Sequence, residues 1–274
     1  MKNLIKKILG KDLTISIKIL FLKFTKNYLT SSPKGKREDY LDLHKQAVDS
    51  YKDNIFIKEN FTENEIKFIN ELAKKTQISI KKSLPNFFHG FLIYNTLKSY
   101  ILKHAEQKIT IFETGTAKGF SSTLMSYCAN NYNANYEIHT TDILPNDKKI
   151  FWNSITDTYI GQITRKELLE EYNEYLPQIF YHQGNSRKIL KQIDINKINF
   201  AFLDGSHEYE DCKLEFDFID KRNSSGDIVI FDDYTKNKFS GICKVVDEIV
   251  NLDKYSFKLF EENQNRGYAI LTKK

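Results

Sequence analysis

Two short stretches hold the side chains best suited to chemistry: DGSHEY, from Asp204 to Tyr209, and FDDY, from Phe231 to Tyr234. Each follows a strand-like run, Ile198–Leu203 and Asp227–Phe231. If those runs lie side by side, Asp204, Asp232 and Asp233 meet at one edge. Carboxylates that close repel one another and need protons or a cation. A hard divalent ion with oxygen ligands, Mg²⁺ first among them, meets that need. The plainer alternative is that Asp204 and Asp233 cap the segments after them and no metal binds. His207, three residues beyond Asp204, titrates near neutrality and can take a proton from a substrate hydroxyl. The alternative for a lone histidine is a structural or merely exposed role. His207 and Asp204 are therefore the catalytic candidates, and Asp204, Asp232 and Asp233 the metal candidates.

A second constellation is ITIFETGTAKGFSS, from Ile109 to Ser122. An apolar run ends in Glu113, and a small-residue loop with Gly115 and Gly119 leads into Leu124 to Cys128. The pattern predicts strand, tight turn and helix. Glycines let a ligand approach the backbone, and a helix N-terminus offers N–H groups to an anion. Such a turn suits a nucleoside-bearing cofactor. Asp142 ends the next strand-like run, 23 residues beyond Gly119, where a carboxylate can accept both ribose hydroxyls. Taken alone, Asp142 reads equally as a helix cap or turn residue. Gly184, Asn185 and Ser186 follow the third run.

These residues need a scaffold that delivers strand ends to one edge. Strands are expected at Ile109–Glu113, Tyr136–Thr141, Ile179–His182, Ile198–Leu203 and Asp227–Phe231, with Tyr255–Phe260 and Tyr268–Leu271 after them. Helices are expected between them at Ser122–Asn130, Lys148–Thr156, Lys166–Tyr175, Ser186–Gln192, Tyr209–Arg222 and Gly241–Leu252. The alternation predicts an α/β, Rossmann-like, doubly wound sheet of seven mostly parallel strands. The last two runs are separated by only Glu261 to Gly267, too short for a crossover helix, so they predict an antiparallel C-terminal hairpin. Upstream, Glu63–Thr76 and Phe87–His104 read as helices. In the second, Phe88, Phe91, Leu92, Asn95, Leu97 and Tyr100 supply a face to cover the sheet. The long segment Ile150 to Tyr175, with Trp152, Asn153 and Arg165, reads as part of an acceptor pocket or dimer contact, or else as a surface excursion.

Seven lysines against one aspartate give residues 1–30 a net +6, and the other 244 residues sum to −1. The body therefore lacks the cationic surface that nucleic acid demands, so no nucleic-acid partner is expected. The arm mixes its lysines with Leu, Ile and Phe. Two readings stand: contact with an anionic membrane or a partner, and a helix packed on its own domain or on a dimer mate. No cleavage-site pattern follows it, which argues against a secretory signal. TSSPKGKR, from Thr30 to Arg37, is the best linker signal. The expected organisation is an arm at 1–36, a helical region at 37–104 and a cofactor-binding domain at 105–274. Three scattered cysteines, Cys128, Cys212 and Cys243, fit a reducing cytoplasm, and no run is long and apolar enough to span a membrane.

On ETGTAKGFSS, Asp142, DGSHEY, FDDY and the ending NRGYAILTK (Asn265 to Lys273), the chain resembles class I S-adenosylmethionine-dependent methyltransferases. It is most similar to the metal-dependent O-methyltransferases of macrolide and aminocoumarin sugars. The resemblance runs from about Phe87 to Lys273. It implies that Glu113, Gly115, Thr116 and Gly119 hold the methionine part of the cofactor, with Ser121 near its carboxylate. Asp142 would bind the ribose, and Gly184, Asn185 and Ser186 would lie by the adenine, where relatives carry an acid in place of Asn185. Asp204, also counted among the cofactor contacts, would bind the metal with Asp232 and Asp233. His207 would be the base; relatives use an acid where this chain has Ser206. The implied reaction is methylation of a hydroxyl on a sugar or surface-glycan precursor, a vicinal diol suiting the metal. Ala117 disfavours a nicotinamide dinucleotide. A rival reading is a nucleoside-binding, non-catalytic component of a glycan-assembly system, which would have no need for clustered carboxylates.

Overall fold

The computed structural model describes residues 30–81, 83–263 and 266–274. The basic arm, apart from Thr30, lies outside the described residues. Seven strands form one sheet: β1 (Ile109–Thr114), β2 (Tyr136–Asp142), β3 (Ile179–Gln183), β4 (Phe200–Leu203), β5 (Ile228–Phe231), β6 (Tyr255–Asn263) and β7 (Arg266–Lys273). Their order across the sheet is β3-β2-β1-β4-β5-β7-β6. The first five pair in parallel, and β7 returns antiparallel between β5 and its hairpin partner β6. Both the parallel sheet and the hairpin thus agree with the sequence pattern.

The strands show why their apolar runs are continuous. Side chains alternate across a sheet, and a sheet covered on both faces buries both sets. Ile111, Phe200 and Phe202 enter one core with Phe91, Leu97 and Leu124. Their chain neighbours Phe112, Ala201 and Leu203 enter the opposite core with Phe216, Ile219, Val245 and Val246. Each such large side chain contributes about 1.5–3 kcal/mol on burial.

Helices α1 (Arg37–Tyr51), α2 (Ile55–Asn60), α3 (Glu63–Thr76) and α4 (Phe88–Lys103) precede the sheet; α1 and α2 lie within the helical region expected at 37–104, where the sequence places only α3 and α4 individually. Helix α3 begins with a reciprocal cap: Thr62 N–H donates to Glu65 at 2.7 Å, and Glu65 N–H donates to the Thr62 hydroxyl at 3.3 Å. Helix α4 packs closely on the helix that follows β1 because Gly90 leaves room; a Cβ there would lie 2.6 Å from the Phe120 ring. Phe120 opens α5 (Phe120–Asn131). The remaining helices are α6 (Arg165–Leu168), α7 (Ser186–Ile189), α8 (Tyr209–Asp220) and α9 (Ser240–Asn251). The three cysteines are buried and unpaired, and among the described residues no helix is long and apolar enough to cross a membrane.

The segment after β2 departs from expectation. The helix expected at Lys148–Thr156 is absent; Ile150 instead bridges Ile163, and only Thr156–Thr158 forms a 3₁₀ turn. The cause is local competition for backbone donors. Asp157 accepts from Trp152 N–H at 2.8 Å and Ser154 N–H at 3.1 Å, and the Trp152 indole donates to the Ile163 carbonyl at 2.8 Å. Lys166–Tyr175, expected as one helix, is the short α6 followed by 3₁₀ turns, and Ser186–Gln192 shortens to α7. Trp152, Asn153 and Arg165 are buried, so the segment is a small core of its own and not a surface excursion.

Candidate active site

The carboxyl ends of β1 to β5 and the start of β7 open into one pocket of about 500 Å³. That size suits a nucleoside cofactor with room beside it. Gly115, Asp142, Gly184, Asn185, Ser186 and Asp204 line it, as do His207, Asp232 and Asp233. Glu113, Thr116, Gly119 and Ser121 are not in the lining, and their work is to hold the turn.

The turn's shape follows from its glycines. Gly115 has φ +91°, and a Cβ on it would stand 2.1 Å from the Asp204 carbonyl oxygen. Gly119, with φ +87°, ends the turn and starts α5. Beneath them, the buried Glu113 carboxylate accepts hydrogen bonds from the Ser121 and Thr140 hydroxyls, and Thr140 also pairs with Thr116. Burial pushes the Glu113 carboxyl up to about 7, against the pull of its two hydroxyl donors. Asp142 accepts from Ala117 N–H at 2.6 Å and from Leu144 N–H at 2.8 Å. The turn is therefore fastened to the ends of β1 and β2 from both sides.

The β4–β5 end is charged. One ligand atom from each of Asp204, His207 and Asp233 falls within a sphere in which all lie within 4.8 Å of one another. His207 Nε2 stands 3.2 Å from Asp233 Oδ2, and its ring packs on Phe239 at 4.4 Å. Asp233 holds a left-handed backbone, φ +55°, a conformation that aspartate tolerates better than most residues. Burial and repulsion from Asp232 and Asp233 raise the Asp204 carboxyl well above its ordinary range. Burial also acts on Asp233, but the His207 hydrogen bond and the Arg266 charge outweigh it and hold that carboxyl below its ordinary range.

Asp232 has a different partner from the metal expected for it. Both its oxygens accept from Arg266 Nη2, at 3.0 and 2.7 Å. Burial still pushes the Asp232 carboxyl up to about 6, with Arg266 opposing the rise. A permanent guanidinium supplies the cation at this carboxylate. The third member of the cluster is His207, through its contact with Asp233. The Asp204 and Asp233 carboxylates, the first without a cation in contact, fit a divalent ion with oxygen ligands, and the His207 imidazole stands beside them.

Several lining residues gave no sequence signal. Glu215, on α8, accepts from the Thr114 and Ser186 hydroxyls at 2.9 and 2.5 Å, and burial pushes it up to about 7. His89, on α4, is pushed down to about 3, chiefly by burial and by Arg266. Lys118 lies inside the glycine turn, where only spacing was read. Arg266 belonged to the NRGY resemblance but carried no role. Trp152 and Asn153 do not line this pocket; Arg165 lines a separate cavity of about 480 Å³ with Asn146 and Tyr181.

Residues 112–234 match the family model described as a methyltransferase domain. No curated protein sequence is similar to the chain. Among solved structures, the O-methyltransferase NovP is 14% identical with a TM-score of 0.54, over 87% of this chain and 99% of that one. An O-methyltransferase from Bacillus cereus, in complex with SAH, is 14% identical with a TM-score of 0.54, over 83% and 97%. CalS11, a calicheamicin methyltransferase, is 16% identical with a TM-score of 0.50, over 85% and 91%. Around the segment that matches the methyltransferase domain, the chain has the seven-stranded Rossmann-like fold of the class I S-adenosylmethionine-dependent O-methyltransferases.

Proposed function

We propose that the protein transfers a methyl group from S-adenosylmethionine to a hydroxyl of a sugar or surface-glycan precursor, with a divalent ion assisting. The observation that carries this reading is a single pocket whose lining joins Gly115 and Asp142 to Asp204, His207 and Asp233. Cofactor-type residues and proton-transfer residues thus surround one space, as group transfer requires. A sugar acceptor is supported by a structural neighbour described as a TDP-rhamnose 3′-O-methyltransferase of calicheamicin biosynthesis, with a TM-score of 0.50.

When bound, S-adenosylmethionine supplies an electrophilic methyl group and a divalent ion supplies charge that acidifies a hydroxyl. Gly115, Asp142, Gly184, Asn185 and Ser186 would hold the cofactor, and Asp204 and Asp233 the ion. His207 would take the proton. With its Nε2–H donating to Asp233, the ring keeps Nδ1 as the lone-pair nitrogen. Asp233 thereby orients the base and stabilises the imidazolium it becomes. Glu113, Thr116, Gly119 and Ser121 would act one step back, by fixing the turn. We extend the proposal to a cytoplasmic protein whose residues 1–30 meet an anionic membrane face or a second copy of the chain.

The test is calorimetric titration with S-adenosylhomocysteine, with and without Mg²⁺, followed by methyl-transfer assays on sugar diols. Micromolar binding is expected. A folded protein that binds none would overturn the cofactor assignment and the catalytic roles with it.

A further inference from the structure

The glycine turn was expected to offer N–H groups to an anion, and the structure uses them otherwise. Gly115 and Thr116 N–H donate to the Thr141 carbonyl at 2.9 and 3.3 Å, and Gly119 N–H donates to the Thr116 carbonyl at 2.7 Å. Ala117 N–H donates to Asp142. Phe120, Ser121 and Ser122, at the start of α5, are buried away from the pocket lining. What the turn presents to the pocket is a side chain, that of Lys118.

Lys118 is only 1% exposed. Its ammonium donates to the Ser79 hydroxyl at 2.5 Å and to the Asn153 carbonyl at 3.3 Å, and it makes no salt bridge with any described residue. Both partners are neutral. A buried cation without a counter-ion in contact is costly, and either loss of its proton or a bound anion offsets that cost. Asp157 acts on it from a distance: its Oδ2 accepts from the Trp152 and Ser154 N–H groups, its Oδ1 is buried without a hydrogen-bond partner, and neither oxygen makes a salt bridge with Lys118. Burial pushes the ammonium down to about 7; Asp157 opposes this and the Lys81 charge adds to it. An anion in the pocket would complete the site.

We propose that Lys118 receives the carboxylate at the amino-acid end of S-adenosylmethionine, with Ser79 and the Asn153 carbonyl aiming its ammonium. The strand order agrees. Gly184 to Ser186 and Asp142 lie past β3 and β2, on the side assigned to the nucleoside, while Lys118 follows β1 and faces Ser79. This inference rests on the cofactor reading above.

The experiment compares S-adenosylhomocysteine with its decarboxylated analogue, which keeps the amine, on wild type, Lys118→Gln, Lys118→Met and Ser79→Ala. Wild type is expected to lose about 30-fold in affinity when the carboxylate is removed. Lys118→Gln and Lys118→Met should bind S-adenosylhomocysteine about 30-fold more weakly and the analogue within about 3-fold of wild type. Ser79→Ala, which removes one of the two groups that aim the ammonium, should lose part of the discrimination, less than the Lys118 variants lose, and bind the analogue within about 3-fold of wild type. A lysine that merely braces the turn would weaken both ligands equally when replaced, and that result overturns the proposal. So does a wild type that binds the two ligands alike, whether or not the variants fold. A wild type that binds neither ligand removes the cofactor reading itself, a failure distinct from the other two.

Discussion

At the β1–β2 end of the pocket every carboxylate has its donors: hydroxyls for Glu113, backbone N–H groups for Asp142. At the β4–β5 end three carboxylates, Asp204, Asp232 and Asp233, crowd together near Arg266, Lys81 and His207. Arg266 sits on Asp232 and His207 on Asp233, while Asp204 has no cation in contact and meets repulsion from both acids that the more distant Arg266 charge offsets only in part. The first end is a finished hydrogen-bond network that fixes a backbone shape. The second is a charge imbalance at Asp204 that a bound cation or a proton would relieve. On the roles proposed above, positioning and chemistry fall at different strand ends of one pocket, and the two ends meet where Gly115 abuts the Asp204 carbonyl.

The largest effect should come from the unbalanced end. His207→Ala or Asp204→Asn is expected to lower turnover by about 10²–10⁴-fold while S-adenosylhomocysteine affinity stays within a few-fold. Asp204→Asn should also raise the melting temperature, because it removes a carboxylate that burial and two neighbouring acids disfavour. Unchanged turnover in both variants would show that the charge imbalance serves no chemistry.

Next in size is the ion pair that partly balances this end. Arg266→Met leaves the nearly buried Asp232 without its guanidinium, a change worth about 3–5 kcal/mol in chemical denaturation. A divalent ion should then stabilise the variant more than it stabilises wild type, since more unpaired negative charge awaits it. An equal response to Mg²⁺ in the two proteins would mean that the ion does not share these carboxylates.

The finished end was easier to read from sequence than the unbalanced one. The glycines mark a backbone with positive φ, the continuous apolar runs mark strands, and the acids Glu113 and Asp142 mark the sheet edge; all three signals are local. What was not legible depends on distant chain segments. Nothing near Asp232 in sequence announces Arg266, which arrives on β7 through the hairpin. Glu215 looks like one acid among several on α8 until Thr114 and Ser186 close on it. The helix expected at Lys148–Thr156 failed for a similar reason. Asp157 takes the backbone donors of Trp152 and Ser154, and apolar spacing carries no information about such a competitor.

The smallest effect tests whether the finished end is finished at every pH. Glu113 is buried and its carboxyl is pushed up to about 7. An acid whose folded pKa is raised adds stability fully below its unfolded value, about 4.3, and that contribution is lost as pH rises through 7. At one pKa unit per 1.36 kcal/mol, ionising Glu113 removes roughly 3 kcal/mol by pH 8. Glu113→Gln does not titrate, and its amide can still meet the Ser121 and Thr140 hydroxyls, which rotate to accept as well as donate. The variant should therefore be less stable than wild type, or equal to it, at pH 5, and should gain on it steadily up to pH 8 in thermal melts. A stability difference that stays constant with pH would mean the two hydroxyls hold Glu113 ionised throughout. The turn would then carry a fixed negative charge, and the contrast between a neutral positioning end and a charged chemical end would be gone.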